Sequence, residues 1–143
     1  MKFCTFARSA LLITLLNIAP AWAELPGIKV RVTGLSTTTG TVEVSLFNNA
    51  GAFMKEPYLQ ESGKADESGV FETEFVSLTE GEYAIVVVHD ANDNQKLDRG
   101  YFGFGAEAYG YSNNVKPWFG RPDFEQAKFT VDQPGTVVEI NLD

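Results

Sequence analysis

Apolar and polar residues alternate along five stretches of the chain. Ile28, Val30 and Val32 alternate with Lys29 and Arg31, and Val42, Val44 and Leu46 with Glu43 and Ser45. Phe71 and Phe75 bracket Glu72 and Glu74. Ala127, Phe129 and Val131 alternate with Lys128 and Thr130, and Val138, Ile140 and Leu142 with Glu139 and Asn141. A period of two puts one face on a core and the other in water, so each stretch predicts a strand. Residues 83–88 are apolar on both faces. That pattern predicts a central strand covered on both sides.

Turn residues punctuate these runs: Thr39-Gly40, Asn48-Asn49 with Gly51, Ser68-Gly69, Glu80-Gly81 and Pro134-Gly135. No segment keeps a helical period, although residues 52–59 and 123–127 allow a turn of helix. Short strands with regular turns predict an all-β fold. The expectation is a single antiparallel β-sandwich, immunoglobulin-like or transthyretin-like, of about six to eight strands. Residues 100–124 break the pattern. They are irregular and carry Tyr101, Phe102, Phe104, Tyr109, Tyr111, Trp118, Phe119 and Phe124. A loop of this length in a compact domain is usually functional or disordered, and so many rings argue against disorder because they can bury enough surface to order it.

The first 23 residues read as a secretory signal peptide. Lys2 and Arg8 form a basic start, residues 10–16 an apolar core, and Ala21-Trp22-Ala23 a cleavage site. That core is shorter than the ~17–25 residues of a membrane-spanning helix. The expected mature domain is residues 24–143, with no membrane span after cleavage and a periplasmic or secreted location. The single cysteine, Cys4, lies in the leader, so the expected domain has no disulfide and no thiolate site. The leader removes two basic residues and no acid, which leaves 9 basic against 19 acidic residues, a net charge of −10. A domain this acidic is expected to repel nucleic acid and anionic lipid and to attract cations.

The segment from His89 to Asp98 carries the clearest candidate chemistry. Asp90, Asn92 and Asn94 place oxygens at every second position, the Lys96 carbonyl falls at the seventh, and Asp98 at the ninth. This is how a short loop wraps calcium. It is not an EF-hand: Gln95 stands where the turn glycine belongs, Tyr101 where the closing glutamate belongs, and no helices flank it. Asp93 is an extra or alternative ligand. The expected affinity is weak, about 10⁻⁴ to 10⁻³ M. The competing reading is a plain turn held by side-chain to backbone hydrogen bonds.

His89 is the only histidine. With no second imidazole and no thiol, it reads better as a half-buried ring fixing a loop than as a metal ligand or a base. Neither a Gly-x-Ser-x-Gly motif nor a phosphate-cradling glycine loop occurs. The chain therefore reads as a binding or structural module, and an enzyme using His89 and Asp90 is the catalytic alternative. A second constellation joins Tyr109, Tyr111, Asn113 and Asn114 to Trp118 and Arg121. Aromatic faces beside amides and a guanidinium suit a glycan, a peptide or an envelope protein. Against this stands a structural reading, with the rings capping the core and residues 112–114 forming a turn.

Several blocks together resemble a bacterial family of small exported proteins, domain of unknown function 2141. They are Gly81-x-Tyr83-Ala84-Ile85, His89-Asp90-x-Asn92-x-Asn94-x-Lys96-Leu97-Asp98, Tyr109-Gly110-Tyr111-Ser112-Asn113-Asn114 and Phe119-Gly120-x-Pro122-x-Phe124-Glu125-x-Ala127. The resemblance implies export and a fold more than an activity. This chain departs from the family form at Asp93 and Gln95, where glycines are usual, and at Gly105-Ala106-Glu107, where a Pro-Lys-Glu-like run is usual.

Overall fold

A computed structural model describes residues 25–94 and 107–142. The leader, Lys96, Asp98 and the first three rings of the long aromatic segment lie outside these residues.

Among the described residues, eight strands form two sheets. The smaller sheet has the order β4-β1-β8, with β1 at Ile28–Thr33, β4 at Phe71–Phe75 and β8 at Thr136–Asn141. The larger has the order β3-β2-β5-β6, with β2 at Thr41–Phe47, β3 at Leu59–Gly63, β5 at Gly81–Asp90 and β6 at Ala108–Tyr111. A short β7, Phe129–Val131, also pairs with β5. The all-β sandwich predicted by the alternation is present. One ladder departs from the antiparallel rule: β1 and β8 run parallel, with Val30 opposite Val138 and Val32 opposite Ile140. A parallel pair needs a crossover rather than a hairpin, and the chain between β1 and β8 passes through the other sheet.

The alternating residues face each other across the sandwich. Ile28, Val30, Val32, Val42, Val44, Leu46, Phe71, Phe75, Ile85, Val87, Val138 and Ile140 share one buried cluster. Each fully buried aliphatic chain contributes about 1.5–3 kcal/mol relative to exposure. Their polar neighbours Lys29, Arg31, Glu43, Glu72, Glu74 and Glu139 point outward.

The second face of β5 is covered over part of its length. Ala84 packs with Phe47, Phe53, Tyr111, Phe124 and Ala127 in a separate cluster, with Val86 at its margin. Edge-to-face ring pairs build it, Phe47 with Phe53 at 5.3 Å and Phe53 with Phe124 at 5.8 Å. Farther along, Val88 is half-buried.

Two strands lack the expected alternation. In β3, Leu59, Gln60, Glu61 and Ser62 are all exposed, because this edge strand covers no core. In β6, the strand at Ala108–Tyr111 passes close to β8 at Gly110. A Cβ on Gly110 would lie 2.7 Å from Leu142 Cδ2 and 2.8 Å from Ile140 Cγ2. The pattern at 127–131 also resolves into two elements. Ala127 ends a one-turn helix, α1 (Phe124–Ala127), and the strand starts at Phe129. Asp123 starts α1 with a reciprocal capping box: its Oδ1 accepts the Gln126 N–H, and Gln126 Oε1 accepts the Asp123 N–H.

Candidate functional site

The acidic loop begins where β5 ends. Asp90 Oδ1 and Asn92 Oδ1 both accept the backbone N–H of Asn94, at 3.1 and 3.0 Å. Two side-chain oxygens therefore converge at the centre of the turn. Asp93 turns outward instead, and its Oδ1 accepts the Thr41 hydroxyl at 2.6 Å. Asp93 has φ 56, the left-handed region that aspartate tolerates better than most side chains.

The β1–β2 connection clasps this loop from behind. His89 Nε2 donates to the Thr39 carbonyl at 2.8 Å, which fixes the Nε2–H form of the ring. Gly40 has φ 86, and a Cβ there would sit 2.1 Å from the Asp90 carbonyl oxygen. Thr41 then holds Asp93. Three consecutive residues, Thr39, Gly40 and Thr41, thus grip residues 89–93.

His89 is only 1 % exposed, more buried than the sequence suggests. It lies on the core face with Tyr83, Ile85 and Val87, and Nδ1 has no hydrogen-bond partner among the described residues. Among the described residues, no group of three or more His, Cys, Asp or Glu side chains is placed to hold a metal. Asp90 and Asn92, the first half of the expected cation loop, turn their Oδ1 atoms onto the Asn94 N–H. The second half, Lys96 and Asp98, lies outside the described residues.

The aromatic constellation separates into structural and exposed parts. Tyr111 is 4 % exposed and sits in the second core cluster. Burial, then the neighbouring Tyr109, raises its phenol above the usual tyrosine value against the opposing pull of Arg121. A one-turn 3-10 segment, Ser112–Asn114, follows β6. Asn113 and Asn114 both have positive φ, at 62° and 49°. Their amides serve the backbone. Asn113 Nδ2 donates to the Gln126 and Lys128 carbonyls at 3.2 and 2.9 Å. Asn114 Nδ2 donates to the Glu139 carbonyl at 3.1 Å, and Asn114 Oδ1 accepts the Asn141 N–H at 2.7 Å. These contacts make the two amides a clamp on the backbone around them.

Ser112, expected as part of a turn, is its centre. Its buried hydroxyl accepts the Ile85 N–H at 2.8 Å and donates to the Ala127 carbonyl at 2.6 Å. The spacing Tyr-Gly-Tyr-Ser-Asn-Asn marks the turn but not which of its polar groups points inward.

Tyr109, Trp118 and Arg121 are exposed. An open groove of about 310 Å³ runs beside them, lined by Tyr109, Gly110, Asn114, Lys116, Pro117 and Gly120 among others. Trp118 and Phe119 are 91 and 85 % exposed, whereas no other large hydrophobic among the described residues exceeds 63 %. Phe119 and Lys116 join the candidate surface on this geometry. No helix among the described residues is long and apolar enough to cross a membrane.

The fold and surface define a small two-sheet β-sandwich with side-chain clamps at the middle and at the C-terminal end of β5. The chain belongs to the bacterial family described as "Uncharacterized protein conserved in bacteria (DUF2141)", whose model matches residues 30–139. No curated protein and no solved structure matches the chain significantly.

Two substitutions test the clamps. Ser112→Ala leaves the Ile85 N–H and the Ala127 carbonyl without this partner and is expected to cost about 1–3 kcal/mol. A denaturant midpoint equal to wild type would contradict the hydroxyl's role. Gly40→Ala is expected to lower the melting temperature more than Gly69→Ala. Both glycines have positive φ, but a Cβ at Gly69 meets nothing within 4 Å. Equal losses would mean that only backbone strain matters and that the contact with Asp90 does not.

Proposed function

We propose that this protein is an exported β-sandwich binding module that engages its partner through the surface around Tyr109, Lys116, Trp118, Phe119 and Arg121. The observation that carries this reading is the near-complete exposure of Trp118 and Phe119 beside an open groove. Large rings left in water cost free energy that a bound partner recovers. Export rests on the leader pattern of residues 1–23, and the partner classes open to an exported domain are a glycan, a peptide or another component of the cell envelope.

The test uses residues 24–143 and a washed bacterial envelope fraction. The wild-type domain is expected to sediment with the envelope. Trp118→Ala/Phe119→Ala is expected to bind about tenfold more weakly at unchanged stability, since both rings lie outside the core. Equal sedimentation of the two proteins would remove this surface from the function.

A second reading, weak calcium binding by the loop from Asp90, is favoured by the convergence of the Asp90 and Asn92 oxygens on one point. Asn94, the Lys96 carbonyl and Asp98 would supply the remaining oxygens. Bound calcium would then tie the end of β5 to the segment that follows it. The expected result is a higher melting temperature in millimolar calcium than in chelator, lost in Asp90→Ala. Superimposable wild-type melts in the two buffers would leave the loop as a hydrogen-bonded turn.

A further inference from the structure

The surface just described has two parts of different shape, a groove and a tip. Residues 116–121, Lys-Pro-Trp-Phe-Gly-Arg, form the tip. Its base is held on one side by the Asn113 and Asn114 amides and on the other by the capping box at Asp123. A ring that is 91 % exposed has almost nothing beside it, so Trp118 stands on a protrusion and not on the floor of a groove. Phe119, next in the chain, is exposed almost as far. A sugar-stacking ring is normally backed by protein with polar partners in its plane. These two adjacent rings have no such enclosure, and their partner must supply it.

The charges around the tip differ from those of the whole domain. Lys116 and Arg121 flank the rings, and both are exposed. Arg121 enters no ion pair among the described residues. Of the acids that follow, Asp123 caps α1 and keeps its charge, and Glu125 pairs with Lys128 at 2.7 Å. The net negative charge of the chain predicts repulsion from anionic surfaces, and the tip is a local exception to it. Paired rings beside an exposed arginine match the chemistry of a lipid headgroup region, where aromatic side chains settle at the boundary and basic ones meet phosphate. A protein partner would need roughly 800 Å² of complementary surface per side. Two protruding rings supply much less than that, but they suffice as a shallow wedge in lipid.

We infer that residues 116–121 are a membrane-docking tip that inserts Trp118 and Phe119 into the headgroup boundary of a phospholipid bilayer, with Arg121 on its phosphates. This rests on the reading of the same surface as the binding surface and names its partner.

Trp22 lies in the expected leader, so Trp118 is the sole tryptophan of residues 24–143 and its fluorescence reports on the tip directly. Every described strand and helix lies within those residues. The domain is mixed with protein-free vesicles of phosphatidylcholine, alone or with about one third phosphatidylglycerol. The expected result is a blue shift of Trp118 emission and protection from iodide, stronger on the anionic vesicles and weakened by salt. Phe119→Ala is expected to bind about tenfold more weakly. Arg121→Glu is expected to lose the preference for anionic vesicles. Trp118 emission unmoved by either vesicle would overturn the inference. If envelope sedimentation still depended on Trp118 and Phe119, the tip would then be reading a glycan or protein and only the lipid assignment would fall. If envelope sedimentation were also independent of them, both readings would fall.

Discussion

Strand β5 needs partners for its backbone on both edges, and one edge has a gap. Along it, β7 pairs with residues 81–83 and β6 with residues 86–89. Ile85 falls between the two ladders, buried, with an N–H that neither ladder takes. Ser112 fills the gap with a hydroxyl in place of a peptide carbonyl, and passes its own proton to the end of α1. Leaving that amide unmet in the core would cost about as much as a lost hydrogen bond plus its desolvation. The route of the chain from β6 into β7 depends on this contact. The second cluster, built on Tyr111, Phe124 and Ala127, lies on either side of it in sequence.

Asn114 performs a similar substitution at the sheet edge. Its amide accepts from Asn141 and donates to Glu139, two residues apart on β8. A neighbouring strand would offer the same donor and acceptor. Strand β8 is the outer strand of the smaller sheet, and an uncovered edge is a template for unwanted pairing. One side chain blunts it and also fixes the start of the segment that carries Trp118. At the other end of β5, Thr39, Gly40 and Thr41 grip residues 89–93 in the same manner, with carbonyl, close backbone contact and hydroxyl.

Where burial drives the fold, the alternation read it correctly. Ile28 to Val32, Val42 to Leu46 and Val138 to Ile140 pack as their period requires. Strand β3 escaped because an edge strand with four exposed side chains in a row has no apolar face to display. Strand β6 escaped because Gly110 answers to the close approach of β8, which is set by tertiary contact and leaves no local signal. Among the candidate site residues, type alone did not separate demand from supply. Asn113 and Asn114 have the chemistry of ligand-binding amides, yet the nearby carbonyls use them. Tyr109 and Tyr111 sit two apart on one strand, one at the surface and one buried, because the second cluster ends between them.

The same accounting separates the tip from its surroundings. Polar side chains around residues 107–128 are largely committed: Ser112, Asn113, Asn114, Asp123, Gln126 and Lys128 all hold backbone or paired charge. Those commitments fix the base of the segment without drawing its two largest rings inward. A loop that needed only to close the sandwich would gain about 1.5–3 kcal/mol by turning a ring such as Phe119 onto the core. The second cluster lies near in sequence at Phe124 and already takes rings. Holding Trp118 and Phe119 outward on a rigid base forgoes that gain in the isolated domain. A partner that encloses the rings restores it, and because the base is already ordered, little conformational entropy is lost on docking.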